Sequence, residues 1–465
     1  MKLQPTIGLE IHVQLSTATK MFCRCSVGEA APNTHCCPTC LGLPGTLPVP
    51  NKGALMLATQ AANLLGCVIG ITSVAERKSY SYPDLPKGYQ ISQFSSPFAE
   101  KGVWKFHVGV EEREVRIRRI QIEEDTAQMR VEKEGCRLDF NRSGIPLLEI
   151  VTEPDFTESK EVGAFLRTIR ASLVDSGLTD GKMEAGSLRC EPNISWSFPD
   201  KSGTKVEIKN LGSIRGVERA INWELAYQKE TLDGGGKVEP VTKGWDEKSG
   251  RCILQRRKET ASDYRYFPEP DLPPLAPCID ELQEENRVHT PFQRGEKLLA
   301  MGVAEGFSWM LSLDLKLFQY WEEVVTLGGD PLQSAKWVAG PLVGAWREAG
   351  LMPPGNCPNP RDLATLLGLV EKGTISKTVA KGLIPSMITG ANPVTMVEEG
   401  GLAGGVEDLE RLALLAIEEN PDAAQKFQSG KEGAIRAVLG TGMRLSRGKA
   451  DPQALLEAIR IILKA

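Results

Sequence analysis

The stretch Ile7-Gly8-Leu9-Glu10-Ile11-His12-Val13-Gln14-Leu15 leaves little choice of local structure. Ile7, Leu9, Ile11, Val13 and Leu15 alternate with Gly8, Glu10, His12 and Gln14, the period of two that marks a half-buried strand. The aliphatic row is expected to pack into a core. The other face sets Glu10 and His12 about 7 Å apart along the strand. A carboxylate and an imidazole on one rigid surface can hold a metal ion or move a proton. The same pair also suits a solvated strand face.

A chain of 465 residues is too long for one hydrophobic core, so two or three domains are expected. The net charge of -5 provides no global basic field, and any contact with nucleic acid must use a local patch. No apolar run approaches the roughly 18 residues of a membrane span, and no basic segment followed by an apolar one opens the chain. A cytoplasmic protein with no membrane partner is the expectation.

Five of the eleven cysteines lie between Cys23 and Cys40 and the rest are scattered. Crowding of this kind fits a reducing compartment and one metal site better than a disulfide framework. Cys23-Arg24-Cys25 and Cys37-Pro38-Thr39-Cys40 are short hooks that can place four thiolates at tetrahedral corners, the geometry of structural zinc. Cys36 is then the odd one out, since adjacent cysteines rarely both turn to one metal. Free buried thiols and a redox pair are the rival readings.

Residues 52–68 have helical spacing. The loop from Lys78 to Gln90 follows, rich in hydroxyls, lysines and prolines, and such a loop can hold phosphate oxygens or simply lie on the surface. Residues 103–110 and 115–122 read as strands. If the second continues, Glu124 points inward in phase with Ile120 and Ile122, and Glu123 points out. Pro146-Leu147-Leu148-Glu149-Ile150-Val151 is a third strand, and a lone carboxylate at Glu149 would cost several kcal/mol unless paired or bound to a cation. Glu10, His12, Glu124 and Glu149 therefore have reason to converge on a divalent ion, and oxygen-rich ligation favours Mg²⁺ or Mn²⁺. The competing expectation pairs these groups separately with arginines such as Arg118, Arg119 and Arg142.

Residues 158–174 form the clearest helix, with Val162, Phe165, Leu166, Ile169 and Leu173 in one stripe and Gly177 at the stop. Strands at Leu188–Ser195 and Lys205–Asn210 and a helix over Ile214–Leu232 follow. Gly234-Gly235-Gly236-Lys237 lacks the frame of a phosphate loop and reads as a turn. The proline-rich segment 263–274 reads as the exit from the first domain. Beyond about residue 290 helical spacing dominates, at Leu311–Val325, Ser334–Trp346, Pro360–Glu371 and Asp408–Glu419. Between residues 426 and 449, Lys426, Lys431, Arg436, Arg444, Arg447 and Lys449 face a single acid, Glu432. That patch can meet RNA phosphates or be a solvated face. Leu455, Leu456, Ile459, Ile462 and Leu463 close the chain as an amphipathic helix.

Gly8–Leu15, Cys37–Gly45, Tyr82–Phe94, Ile122–Asp125, Pro146–Asp155, Gly186–Ser195, Glu207–Leu211 and Asp263–Leu275, in this order, resemble the GatB family, the B subunits of tRNA-dependent amidotransferases. Gly430–Pro452 resembles the family's terminal tRNA-contacting domain more loosely. Two departures stand out: Thr126-Ala127-Gln128 where the family has Ala-Gly-Lys, and Glu191-Pro192 where it has Asp followed by Val or Ala.

The resemblance implies an α+β fold, with an antiparallel-sheet cradle carrying a zinc-binding loop over 1–292. An all-helical domain over 293–402 and a helical tail over 403–465 would follow. It implies a ligase that phosphorylates with ATP the side-chain carboxylate of Glu on tRNA(Gln) or Asp on tRNA(Asn). Ammonia from the glutaminase of a partner A subunit then displaces the phosphate. The partners implied are A and C subunits in a heterotrimer and a misacylated tRNA, with no DNA. The cofactors implied are Mg²⁺ at Glu10, His12, Glu124 and Glu149, which also form the catalytic set, and Zn²⁺ at Cys23, Cys25, Cys37 and Cys40. Lys78, Tyr82, Lys87, Gln90, Asn193 and Lys209 are the candidates for binding ATP and substrate. Lys431, Arg436, Arg444, Arg447 and Lys449 are the candidates for tRNA. The alternative is a non-catalytic zinc-bearing subunit that binds tRNA or serves assembly, which needs no carboxylate constellation.

Overall fold

The computed structural model describes residues 3–132, 134–198, 203–257, 264–281, 289–351, 358–403, 409–446 and 450–464. It divides into two compact units, Met1–Phe292 and Gln293–Ala465. The first carries strands β1 (Gln4–Gln14), β2 (Val68–Ile69), β3 (Glu76–Ser79), β4 (Tyr89–Ser92), β5 (Ala99–Val108), β6 (Glu111–Glu124) and β7 (Gln128–Glu132). It continues with β8 (Gly135–Asp139), β9 (Pro146–Thr152), β10 (Leu188–Ser197), β11 (Val206–Lys209), β12 (Val241–Asp246), β13 (Arg251–Arg257) and β14 (Phe267–Pro268). It also carries helices α1 (Lys52–Leu64), α2 (Ser159–Asp175) and α3 (Ile214–Asp233) and a short 3-10 turn, Ile279–Glu281.

Nine strands form one sheet in the order β13-β12-β11-β10-β1-β9-β6-β5-β2. Its neighbours are antiparallel except β11 and β12. This large antiparallel-rich sheet with many helices agrees with the mixed class expected. β1 lies inside the sheet, and its alternation is realised: Ile7, Leu9, Ile11 and Val13 are buried, whereas Glu10, His12 and Gln14 are only half-buried. Each such aliphatic contributes ~1.5–3 kcal/mol on burial. They share one core with Ile120, Ile122, Leu148 and Ile150 from the neighbouring strands and with Phe165, Ile169, Val217 and Ile221 from α2 and α3.

The stripe expected of α2 is fully buried at Val162, Phe165, Leu166, Ile169 and Leu173. Its start is fixed by Glu161, which accepts from the backbone N–H of Thr157 at 2.8 Å and of Glu158 at 3.2 Å. It stops before Gly177, whose φ of 69° suits glycine. The turn expected at Gly234-Gly235-Gly236 follows α3, where Gly234 N–H bonds back to Glu230 O at 3.0 Å.

The segment expected as an exit instead returns to the first unit. Phe267–Pro268 pairs with β3, and Leu275 exchanges backbone hydrogen bonds with Ser73. Arg77 holds it through Glu269, with Nε–Oε2 at 2.6 Å. Asp263 lies outside the described residues.

The second unit is helical. Pro360–Glu371 forms as expected. The helix expected over Leu311–Val325 is two helices, Glu305–Ser312 and Leu315–Thr326. Asp314 divides them by accepting from the N–H groups of Lys316 and Leu317, both at 3.1 Å. That expected over Ser334–Trp346 begins earlier, at Pro331 behind an Asp330 cap, and passes through a π-helical turn, Val338–Leu342, that contains Pro341. Two apolar cores occupy this unit, one drawn from residues between Leu298 and Val397, the other from residues between Ala413 and Leu463. Among the described residues no helix is long and apolar enough to cross a membrane.

Candidate active site and metal centre

Because successive side chains on a strand alternate, the face of the sheet opposite the aliphatic core collects the odd or even partners of five strands. Register places them in rows. Glu191 on β10 lies opposite Glu10 on β1, and Glu10 opposite Val151 on β9. In the next row Arg189 lies opposite His12, His12 opposite Glu149, and Glu149 opposite Gln121 on β6. His12 Nε2 is then 3.8 Å from Glu10 Oε1, 3.7 Å from Glu149 Oε2 and 3.8 Å from Glu123 Oε2.

Glu123, not Glu124, joins this cluster. Glu124 does share the phase of Ile120 and Ile122, as expected, but that phase leads away from His12. Its carboxylate receives the Lys87 ammonium and the Ile91 N–H, the latter at 3.0 Å. Glu123 accepts instead from Ser92 Oγ and, at 3.2 Å, from Gln90 Nε2. The alternation that puts Glu10 and His12 on the polar side requires Glu123 there too, so the signal for it is present in the sequence. Glu191 and Glu207 also belong to the site without having been expected there. They form a second acidic group with Glu10, with one oxygen of each within 4.8 Å of the others.

The electrostatics show what this crowding costs. Burial, reinforced by Glu191, pushes the Glu10 carboxyl up. Burial and Glu149 do the same to Glu123 against the pull of Lys78 and His12. Burial opposes an imidazolium at His12, but contact with Glu149 and the charge of Glu10 outweigh it and hold the group up at about 9. Burial also opposes ionisation of Glu191, yet Lys209 at 2.7 Å and His12 keep it down at about 2. Glu10 and Glu123 are thus carboxyls whose charged forms are costly where burial and a neighbouring carboxylate coincide.

Of the other expected binding residues, Lys78, Gln90, Asn193 and Lys209 belong to this face and Lys87 and Tyr82 do not join the cluster. Burial works against the Lys78 ammonium, but Glu123, Tyr266 and Glu149 hold its pKa well above the usual value. Its Nζ lies 5.0 Å from the Tyr264 ring centre. Gln90 reaches both Glu123 and the Glu124 carbonyl. Lys209 bridges Glu191 and Glu207, and Asn193 follows Arg189 and Glu191 on the half-buried phase of β10. Lys87 serves Glu124, and the exposed Tyr82 packs edge-on against Tyr80. Among the described residues the separate arginine pairs do not form at the cluster: Arg118 binds Glu153 at 2.6 Å, Arg142 lies 3.8 Å from Asp125, and Arg119 faces the ring of Phe94.

Cys23, Cys25, Cys37 and Cys40 offer sulfurs that all lie within 4.8 Å of one another. A tetrahedral S₄ site with bonds near 2.3 Å needs sulfur separations of roughly 3.8 Å, so the donor set fits zinc in number, softness and spacing. Cys36 stands outside, its Sγ 3.8 Å from Asn141 Oδ1. Cys40 is the sulfur most ready to ionise: sharing a proton with Cys23 lowers it to about 4, helped by the Cys37 N–H and Lys20. Burial and contact with Cys37 push Cys25 up to about 11.

A family model described as the GatB/GatE catalytic domain matches residues 5–282. The chain belongs to the GatB family. A second model, described as the GatB domain, matches residues 319–463. The B subunit of the aspartyl/glutamyl-tRNA(Asn/Gln) amidotransferase of Thermus thermophilus is 40% identical over 470 residues, covering 98% of this chain and 99% of that one. Its counterpart in Caldicellulosiruptor saccharolyticus is 39% identical over 479 residues, 99% of each chain. That of Thermotoga maritima is 38% identical over 481 residues, 100% of each. Both clusters described above fall inside the catalytic-domain match.

At the two stretches singled out in the sequence the contacts are made by the backbone. Arg142 donates to the carbonyls of Thr126 at 2.9 Å and Ala127 at 2.8 Å. Pro192, which has no N–H to give, sits on β10 where pairing with β11 begins only at the next residue, Asn193.

In the second unit Lys431 and Arg436 are exposed, and Arg444 pairs with Glu419 at 2.5 Å. Arg447 and Lys449 lie outside the described residues.

Proposed function

We propose that this chain is the subunit of a tRNA-dependent amidotransferase that activates and amidates the side-chain carboxylate of Glu-tRNA(Gln), Asp-tRNA(Asn) or both. The observation that carries the reading is the single rigid sheet face bearing Glu10, His12, Glu123 and Glu149 within a catalytic-domain match. A non-catalytic subunit has no need of three buried or half-buried carboxylates that repel one another around one histidine. The designation of its relatives as B subunits supports assembly with further subunits, which we take to be A and C, the first supplying ammonia. The first unit is read as the catalytic cradle, residues 293–402 as a helical domain and 403–465 as the tRNA-binding tail.

Glu10, Glu123 and Glu149 are the residues to hold a Mg²⁺ ion, with His12 joining once it gives up its proton. Bound there, the ion would supply the positive charge that lets an anionic carboxylate approach the γ-phosphate of ATP. The chain itself does the rest. Glu191 is kept ionised by Lys209, which leaves Glu10 free to serve the cation. Lys78, held as an ammonium between Glu123, Glu149 and the ring of Tyr264, presents a fixed charge to the transferred phosphoryl group. The aromatic surround of Lys78 excludes water, which protects an acyl phosphate from hydrolysis. Cys23, Cys25, Cys37 and Cys40 would hold Zn²⁺ as a staple of the loop beside this face.

The test uses the chain with ATP, Mg²⁺ and Glu-tRNA(Gln). Ammonium salt should support slow amidation without the A subunit, whereas glutamine should not. Glutamine hydrolysis by this chain alone, or the absence of any tRNA-dependent phosphate release in the assembled enzyme, would sink the reading.

A further inference from the structure

Between Ile117 and Arg119 the register of β6 against β9 slips by one residue: Ile117 lies opposite Thr152 but Arg119 opposite Val151. Two residues, Arg118 and Arg119, therefore separate the core-facing Ile117 from the core-facing Ile120. Such bulges re-aim side chains. Here the bulge sends two consecutive arginines to different surroundings. Arg118 is exposed and paired with Glu153 at 2.6 Å. Arg119 enters the phase of Gln121 and Glu123, the polar face of the sheet.

Arg119 differs from the other cations of that face. Lys209, Arg189 and Arg142 each have a carboxylate partner, and Lys78 is held by the charges of Glu123 and Glu149. Among the described residues no carboxylate is paired with Arg119. Its register neighbour on β5, Glu100, is bound by Lys101 at 2.9 Å. Its Nε is buried without an acceptor. What it faces is the ring of Phe94, 5.9 Å from the guanidinium carbon. Phe94 is 41% exposed and stacks on Tyr266 with centroids 4.7 Å apart and planes 19° apart. Tyr266 in turn feels the charges of Lys78, Glu123 and Glu149.

A guanidinium without a counter-ion is a ready partner for a group with two anionic oxygens. An open aromatic ring beside it is a stacking surface for a base. The two side by side, one strand row from Glu149, match the parts of a nucleotide. We propose that Arg119 and Phe94 form the nucleotide seat of this face: Arg119 takes a phosphate of ATP and Phe94 carries the adenine. The polyphosphate then leads toward Glu149, Glu123 and His12. A glutamyl carboxylate alone would use the arginine but leave the exposed ring without a role. This inference rests on the ATP-using function proposed above.

The experiment uses the assembled enzyme and misacylated tRNA, with KM for ATP and for tRNA read from phosphate release, and ATP binding without tRNA read by calorimetry. Arg119→Met should raise KM for ATP by about tenfold or more, the loss of one charge-assisted contact, and leave KM for tRNA unchanged. Arg119→Lys, which keeps the charge without the fork, should fall between. Phe94→Ala should weaken ATP binding, and Phe94→Trp should restore it. Arg118→Met, on the other side of the bulge, should match wild type. If Arg119→Met raises KM for tRNA and not for ATP, the anion belongs to the RNA and the seat is wrong. If Arg119→Met and Phe94→Ala both bind ATP as wild type does, the assignment falls while the function stands. A wild type that neither binds nor cleaves ATP overturns the function itself.

Discussion

His12 stands within 3.8 Å of three carboxylates, yet the sequence suggests only two of them. The third, Glu123, is hidden by an inconsistency of phase. Ile120 and Ile122 mark the core side of β6, so the neighbour of Glu10 and His12 must come from the opposite phase. Glu149 is legible for a different reason, since a charge inside an aliphatic run has to be met by something. Exchange tests the correction. Glu123→Gln and Glu149→Gln each remove one ligand charge with little change of shape, so Mg²⁺ affinity should fall and tRNA-dependent phosphate release should drop by ~10²-fold or more. Glu124→Gln should leave Mg²⁺ affinity intact, because its loss falls on Lys87. Calorimetric Mg²⁺ titrations of the three variants decide, and a Glu124→Gln protein that alone loses the ion would return Glu124 to the ligand set in place of Glu123. Asp155 gives a residue-scale test of stability. Burial raises its carboxyl, but three hydrogen bonds from Arg116 outweigh that and hold it below its ordinary value. A depressed carboxyl stabilises the fold above its unfolded pKa of about 3.9, and the contribution disappears as pH falls through the folded value. Asp155→Asn should therefore be less stable at pH 7 by about 1 kcal/mol, Arg116 being largely exposed and screened. Its urea midpoint should converge on that of wild type only as pH falls below the depressed folded value of Asp155.

At the scale of elements, what is local in sequence is legible and what depends on distant pairing is not. α2 announces itself because its stripe, its N-terminal glutamate and its terminal glycine are all within one stretch. The return of Phe267–Pro268 to β3 cannot be read, since two residues carry no period and their partners, Arg77 and Glu76, lie far back in the chain. The cysteine loop is an intermediate case. Spacing alone picks the four sulfurs and sets Cys36 aside, but not what the loop touches. Gly42, at φ 69°, lies so close to Lys87 that a Cβ there would come within 2.5 Å of its Cγ. The loop thus fixes the lysine that serves Glu124. Cys37→Ser should reduce bound zinc from one ion per chain to near none, and thermal unfolding should move down by several degrees because the staple is a folding term. Zinc content measured in protein prepared without chelator checks the first part; a wild type free of zinc contradicts the whole account of the loop.

For the whole molecule, composition is a poor guide to RNA binding. The chain is acidic, and its cations gather locally, at positions 426–449, in a stretch whose helices share an apolar core of their own through Ala424, Ile435 and Val438. In the described part of that stretch Lys426, Lys431 and Arg436 are exposed, while Arg444 is partly neutralised by Glu419. Each exposed cation that meets a phosphate releases a counter-ion, so binding must weaken with salt by roughly 0.7–0.9 logarithmic units per contact. Removing residues 403–465 should therefore raise KM for tRNA and flatten its salt dependence by about two to three units of slope. ATP binding should persist, because every residue assigned to it lies in the first unit. Reversal of three charges, Lys426→Glu, Lys431→Glu and Arg436→Glu, keeps the helices and should give the same loss with the apolar core intact. If the truncated and the charge-reversed proteins both bind tRNA as tightly as wild type across the salt range, these side chains are a solvated face and the RNA is held elsewhere.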